Sequence, residues 1–300
     1  LARGIYVEDK YAYVADGEKG LAIIDVSNPA KPAIIAQPDT DGTGYNVAIY
    51  NKYAHVYGKY AYIADGNGGL VVIDVSNPAK PVQVGWYDTY DARSVCVQGE
   101  NVYVADGKNG LLVVNVNKIG NLSQVGRYDT AGYAWGVYTQ GNYAYVADYS
   151  NGLVIIDISN PKNPRQVGRY DTAGRAYYVY VQGSYAYVAD YSKGLAIIDI
   201  SNPNNPRQVG RYVTPGYALG VYLQGSYAYV ADGGNGLVII DISNPNSPTQ
   251  VGRYDTAGYA WGVYTQGSYA YVADEGNGLV IIDISNPKSP TQVGRYDTAG

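Results

Sequence analysis

Apolar positions along the chain fall into short runs of two kinds, and neither has the 3.6-residue spacing of a helix face. From Tyr143 to Ala147, tyrosines alternate with small residues, the period of a strand. Leu153 to Ile158 is instead a nearly unbroken aliphatic run, as expected of a strand covered on both faces. Two further strands are predicted beside these, one near Trp135 to Thr139 and one from Gln166 to Tyr170. Turn chemistry separates all four: Gln140-Gly141-Asn142, then Asp148 to Gly152, then Ser159-Asn160-Pro161-Lys162-Asn163-Pro164. The last cannot continue a ladder, because proline lacks the N–H donor and fixes its own φ. The unit read here is four short antiparallel strands, A to D.

That unit recurs. Tyr-Ala-Tyr-Val-Ala-Asp and its variants end at Asp16, Asp65, Asp106, Asp148, Asp190, Asp232 and Asp274, at intervals of 49, 41, 42, 42, 42 and 42. Repeats of about 40 to 45 residues with four strands are the mark of propeller blades. The prediction is therefore an all-β fold, a seven-bladed β-propeller with four antiparallel strands per 42-residue repeat. It fills 1–300 as one unit, with blades at about 1–42, 43–89, 90–132, 133–174, 175–216, 217–258 and 259–300. A β-solenoid would need parallel coils, which the tight hairpin turns oppose. Blade 2 carries seven extra residues, Tyr57 to Ile63, expected to lengthen the A-to-B loop on one rim. His55, beside them, reads as a tyrosine substitute in that loop.

Composition narrows the chemistry. A net charge of -5 with no basic block argues against nucleic acid, whose binders carry a Lys/Arg-rich face. One cysteine and one histidine exclude an intrachain disulfide, a cysteine-ligated metal cluster and an all-histidine metal site. No apolar run approaches the roughly 18 residues of a membrane-spanning helix. The chain opens at Leu1 without a basic n-region or an h-region, which reads as a processed form or an excerpt.

The aspartates ending strand B invite a catalytic or metal reading. They recur in every blade with the same neighbours, however, and are expected to cap the B-to-C turn through its own backbone. Asp25 and its equivalents likewise read as turn acids before Ser-Asn-Pro. Neither a nucleophile with its base nor a phosphate-binding glycine loop is found, so no catalytic residue, metal or cofactor is assigned. Cys96 falls within strand A and is expected to be buried and inert.

If A is the innermost strand, the D-to-A and B-to-C connections share one face, called upper here. The lower connections repeat monotonously, but the upper ones do not. Two residues before the strand-A Val or Ile stand Arg3, Tyr45, Arg93, Trp135, Tyr177, Leu219 and Trp261, while Tyr149, Tyr191 and Glu275 replace a B-to-C glycine. Large, non-identical side chains at the mouth of a repetitive frame mark a candidate binding site. Arg3, Tyr45, Arg93, Trp135, Tyr177 and Trp261 are its core, with Tyr149 and Tyr191 beside them. Guanidinium and aromatic groups suit a glycan, a peptide or a protein partner with an anionic group. The alternative for the two mouth tryptophans is that they plug the channel or pack between blades.

Tyr-Val-Ala-Asp followed by Leu-Val-Ile-Ile-Asp-Ile-Ser-Asn-Pro resembles the LVIVD-repeat family of β-propellers and, more distantly, YVTN-type surface propellers. Blade 3 departs most, with Asn115 for the aspartate and Asn117-Lys118 for Asn-Pro. The resemblance implies a propeller fold and an extracellular, cell-surface location, and it implies no reaction. The function expected is a non-enzymatic binding or scaffold propeller using its upper mouth. A self-assembling subunit of a surface layer or filament, contacting copies of itself through strand-D edges and the blade 2 insertion, is the alternative. A polysaccharide-active enzyme would need two acids about 5 to 10 Å apart at the mouth, where Glu275 is the blade-specific acid of the B-to-C turns.

Overall fold

A computed structural model of the chain describes residues 1–50 and 59–298. Twenty-eight strands form seven four-stranded sheets, each antiparallel and each in chain order. The predicted propeller is what the chain forms. In blade 4 the strands are Gly136–Gln140, Tyr143–Ala147, Leu153–Asp157 and Arg165–Tyr170. Strand A starts one residue later than the pattern suggested, although the Trp135 amide still donates to the Ala147 carbonyl. Gly141, at φ 59°, supplies the left-handed backbone of the A-to-B hairpin. A register shift between Ile155 and Ile156 marks the C-to-D pairing, and the same irregularity recurs in the other blades.

In blade 2, Tyr50 pairs with Tyr60, so nine residues separate strands A and B where the other blades use two or so. The A-to-B connection is therefore the longer one, as expected, but it spans 51–59, and Tyr60 to Ile63 of the segment read as extra form strand B itself. His55, with Tyr57 and Gly58, lies outside the described residues.

The core is not one cluster but seven, each shared by two neighbouring blades. Between blades 4 and 5, for example, Tyr145, Leu153 and Ile155 meet Val179, Val188 and Ile198. Alternation explains this: successive residues of strands B and C point to opposite faces, and each face meets a different neighbour. Complete burial of the strand-C aliphatics contributes roughly 1.5–3 kcal/mol per side chain.

Two devices fix blade spacing. Strand D carries a glycine that backs onto the C-to-D loop of the next blade; a Cβ on Gly168 would lie 1.9 Å from the Pro203 carbonyl oxygen. The second is the Ser-Asn-Pro loop itself. Asp157 Oδ1 accepts from the Ser159 amide at 2.9 Å and Asn160 Oδ1 from the Lys162 amide at 3.2 Å. These are side-chain-closed turns, as expected of the strand-C acids.

Blade 7 meets blade 1 as any other pair meets. Tyr271, Leu279 and Ile281 pack on Ile5, Val14 and Ile24, the Thr298 hydroxyl donates to Asp16 Oδ1 at 2.6 Å, and Gln266 Nε2 donates to the Asp9 carbonyl at 2.8 Å. Blade 1 uses four N-terminal strands and blade 7 four C-terminal ones, so no strand is exchanged to close the ring.

Candidate functional site

The upper face is held by backbone bridges from the B-to-C turns of blades 1 to 6 to the following D-to-A loop, among them Gly107 with Ala134, Tyr149 with Ala176 and Tyr191 with Ala218. The strand-B aspartates reinforce it, though not as expected. Their carboxylates reach the adjoining D-to-A loop, and within their own turn Asp106, Asp148 and Asp274 accept from an asparagine side chain. The Thr130 hydroxyl donates to Asp148 at 2.7 Å, Thr172 to Asp190 at 2.6 Å and Thr40 to Asp65 at 2.8 Å. The turn already closes through backbone pairs, such as Asp148 with Gly152, which leaves the buried carboxylate free to tie two loops together. Among the described residues, only Asp274 bonds a backbone amide of its own turn, that of Gly276, in a blade whose turn is built differently.

Burial gives these acids an unusual pH signature. Desolvation raises Asp65 to about 6 and also raises Asp106, Asp148, Asp190 and Asp232. The folded chain thus binds protons more readily than the unfolded one, and the cost of holding these charges is relieved as pH falls from about 6 toward the ordinary carboxylate value. The strand-C acids act oppositely. The Ser159 hydroxyl and amide, then Arg165, lower Asp157 to about 2; Asp199 is lowered by Ser201 and Arg207, and Asp25, Asp241 and Asp283 by the serine two residues on. Their contribution is complete above the unfolded value and is lost as pH falls through the lowered one. The melting temperature should therefore peak near pH 4 to 5 rather than at neutrality. Thermal unfolding followed by circular dichroism from pH 3 to 8 checks this, and a maximum at pH 7 would contradict it.

At the mouth, six of the predicted residues line one small cavity of about 70 Å³ that opens to solvent: Arg3, Tyr45, Arg93, Trp135, Tyr177 and Trp261. They form an alternating cation and ring stack around the axis. The Arg3 guanidinium lies 5.2 Å from the Trp261 ring and 4.7 Å from Tyr45; that of Arg93 lies 4.0 Å from Tyr45 and 4.6 Å from Trp135. Trp135 then meets Tyr177 at 4.7 Å between centroids. The tryptophans do pack against their neighbours, yet both are only partly buried and leave the cavity open. Leu219, the seventh member, is buried.

Tyr149 and Tyr191 are placed differently from the expectation, since neither lines the cavity. The B-to-C turn lies outside strand A, so their rings lie behind Tyr177, Tyr149 edge-on at 5.7 Å and Tyr191 stacked at 5.4 Å. Tyr191 continues onto Tyr217 at 4.2 Å with planes 8° apart. An aromatic track thus leads from the mouth outward over blades 4 to 6.

The two arginines differ electrostatically. Arg93 Nη2 contacts Asp91 Oδ2 at 2.6 Å, and the Tyr133 hydroxyl also donates to Asp91. Asp91 was not singled out from sequence. Its signal is the blade 3 D-to-A loop, one residue shorter than the others, which puts an acid near the place Tyr133 holds in the next blade. Arg3 has no carboxylate within 4 Å among the described residues, and its Nε is buried without a hydrogen-bond partner. Glu275 accepts from the Trp261 indole N–H at 2.8 Å.

Tyr178 forms the floor. Other blades place Gly, Asn or Ser at that step of strand A, whereas the Tyr178 ring borders both the mouth cavity and a second one beneath it. Five tyrosines line the lower space in sequence around the ring, Tyr138, Tyr180, Tyr222, Tyr264 and Tyr6, with centroids 4.4–5.1 Å apart. Ala48 and Cys96 fill the remaining sector. Cys96 therefore faces the channel and is half-buried, not enclosed between blades, because strand A turns that position inward. Its Sγ lies 3.3 Å from Thr139 Oγ1, and burial pushes the thiol pKa up. Among the described residues no three His, Cys, Asp or Glu side chains gather as a metal site, and no helix is long and apolar enough to cross a membrane.

Comparison with known proteins bears on the fold and the family. No curated protein sequence matches the chain. Among solved structures, the computationally designed Ika8 protein superposes with a TM-score of 0.66 at 8% identity, covering 99% of this chain and 86% of that one. BamB from Moraxella catarrhalis gives 0.62 at 12%, covering 94% and 82%. Sqt1 from Saccharomyces cerevisiae gives 0.71 at 8%, covering 98% and 85%. At these identities the likeness concerns the fold. The LVIVD repeat matches residues 1–40, 41–89, 91–130, 131–172, 173–214, 215–256 and 257–298. Seven matches, laid over seven four-stranded blades, place the chain in the LVIVD repeat family.

Proposed function

We propose that the chain is a non-enzymatic, cell-surface binding propeller that takes a glycan, peptide or protein partner at its upper mouth. The observation that carries this reading is the convergence of blade-specific side chains from six blades on one cavity, on a frame that otherwise repeats. The acids found in every blade support a non-enzymatic role, because they are occupied in tying loops together. The surface location rests on the family resemblance and on no feature of the site.

Trp135 and Trp261 supply the largest ring surfaces at the mouth. Replacing both with alanine should weaken ligand binding by at least about tenfold, since each aromatic contact is worth about 1 kcal/mol or more. The melting temperature should fall by only a few degrees, because both rings are only partly buried and belong to none of the blade cores. Glycan- and peptide-array binding of the parent and double variant checks this. Unchanged binding accompanied by a large stability loss would reduce the tryptophans to packing elements and overturn the reading.

A further inference from the structure

We propose that the ligand is a carboxylate-bearing polysaccharide, with one uronate group held by Arg3 in the mouth and the following sugars lying on the aromatic track beneath Arg175. This deepens the binding reading above and rests on it.

Charge singles out Arg3. Both arginines have a buried Nε without a hydrogen-bond partner, but Arg93 is compensated by Asp91, whereas Arg3 lies between Tyr45 and Trp261 with no acidic partner among the described residues. A buried N–H without an acceptor is costly, and a guanidinium fork matches a carboxylate. Glu275, across the Trp261 indole, disfavours a densely charged polyphosphate or polysulfate, yet it can accept hydroxyl donors. One carboxylate set among hydroxyls is what the pair selects.

The backbone argues for a sugar over a peptide. The amides of Arg3, Tyr45, Arg93, Trp135, Tyr177 and Leu219 all donate to strand-B carbonyls, so none is available to pair with an incoming main chain. Side-chain faces and cations are what remain.

Backbone strain supplies an independent sign that the track is built for contact. Tyr149 and Tyr191 sit at φ 47° and 51°, at a turn position that is glycine in blades 1, 2, 3 and 6. A tyrosine in the left-handed region costs roughly 1–2 kcal/mol, and glycine would avoid that cost. What the substitution provides is a ring. The Arg175 guanidinium spans both rings, 5.3 Å from Tyr149 and 5.6 Å from Tyr191, and it too has no ion pair among the described residues. A cation at the mouth and another along the track match a polymer whose carboxylates recur along its length.

The test measures binding to tetragalacturonate, to its methyl ester and to a tetraglutamate peptide, by isothermal titration calorimetry and tryptophan fluorescence. The full chain is compared with Arg3→Gln and Arg175→Gln. Tetragalacturonate should bind, the ester should bind at least about tenfold more weakly, and Arg3→Gln should remove that difference. Arg175→Gln should cost a smaller factor, and affinity should fall as salt rises, a readout that needs no variant. Equal binding of acid and ester, with Arg3→Gln silent, overturns the inference while leaving the mouth as a binding site. Binding of the glutamate peptide in preference to the sugar does the same. Sugar binding that survives alanine at both Trp135 and Trp261 overturns the binding reading itself.

Discussion

Gly294→Val is expected to destabilise the propeller by about 3 kcal/mol, lowering the melting temperature of a chain this long by about 6 °C. Gly294 lies in strand D of blade 7 (Thr291–Tyr296) against the C-to-D loop of blade 1, where a Cβ would come within 1.8 Å of the Pro29 carbonyl oxygen. The obstacle is main chain tied into a proline-bounded turn, so no rotamer change relieves it; the blades themselves must part. Gly210→Val, against the Pro245 carbonyl oxygen, should cost a similar amount, because the seam between the chain ends is built like the others. Blade 1 provides the control. Its equivalent residue is Ala36, so that seam already accommodates a Cβ, and Ala36→Gly should change little. Calorimetry on the three variants checks the set, and an unchanged melting temperature for Gly294→Val would contradict the seam as described.

Asp148→Ala should cost about 3 kcal/mol, since it strands two donors in a buried site. Those donors are the Thr130 hydroxyl and the Asn151 side-chain amide, at 2.7 and 2.8 Å from the carboxylate. Asp148→Asn keeps an acceptor and removes a charge that burial disfavours, so its loss at neutral pH should be well under half as large. Chemical denaturation of both variants at pH 7 measures the difference. Equal losses would mean that the charge, not the hydrogen bonding, matters. The contrast separates a loop tie from a catalytic or metal-binding acid, for which amide and alanine would be comparably damaging to activity while stability stayed put.

The fold was legible because its signals are local and repeated. Strand alternation, hairpin glycines and Ser-Asn-Pro turns each reappear in nearly every blade, so one misread segment could not shift the architecture. Most of the mouth was legible for the opposite reason: Arg3, Tyr45, Arg93, Trp135, Tyr177 and Trp261 break the repetition at one register. What sequence did not show was radial position. Tyr149 and Tyr177 are both upper-face tyrosines of the same neighbourhood, yet the first belongs to a turn outside strand A and the second to the axis, a difference set by blade packing. Partnership was hidden as well. Arg3 and Arg93 read alike until a one-residue deletion set Asp91 against the second, and the strand-B aspartates read as turn caps because the threonines they bind lie 18 to 25 residues earlier, or on the far side of the chain for Asp16. Cys96 illustrates the same limit, since an inward-facing strand residue lines a channel only if the strand is innermost.

Closing the ring without an exchanged strand has a consequence for the gene as much as for the protein. With a hydrophobic cluster shared across every junction, the order in which blades are read is a choice of starting point on a circle. A circularly permuted chain, cut at any D-to-A loop and joined across the present ends, would keep the same seams, the same mouth and the same neighbours for Arg3.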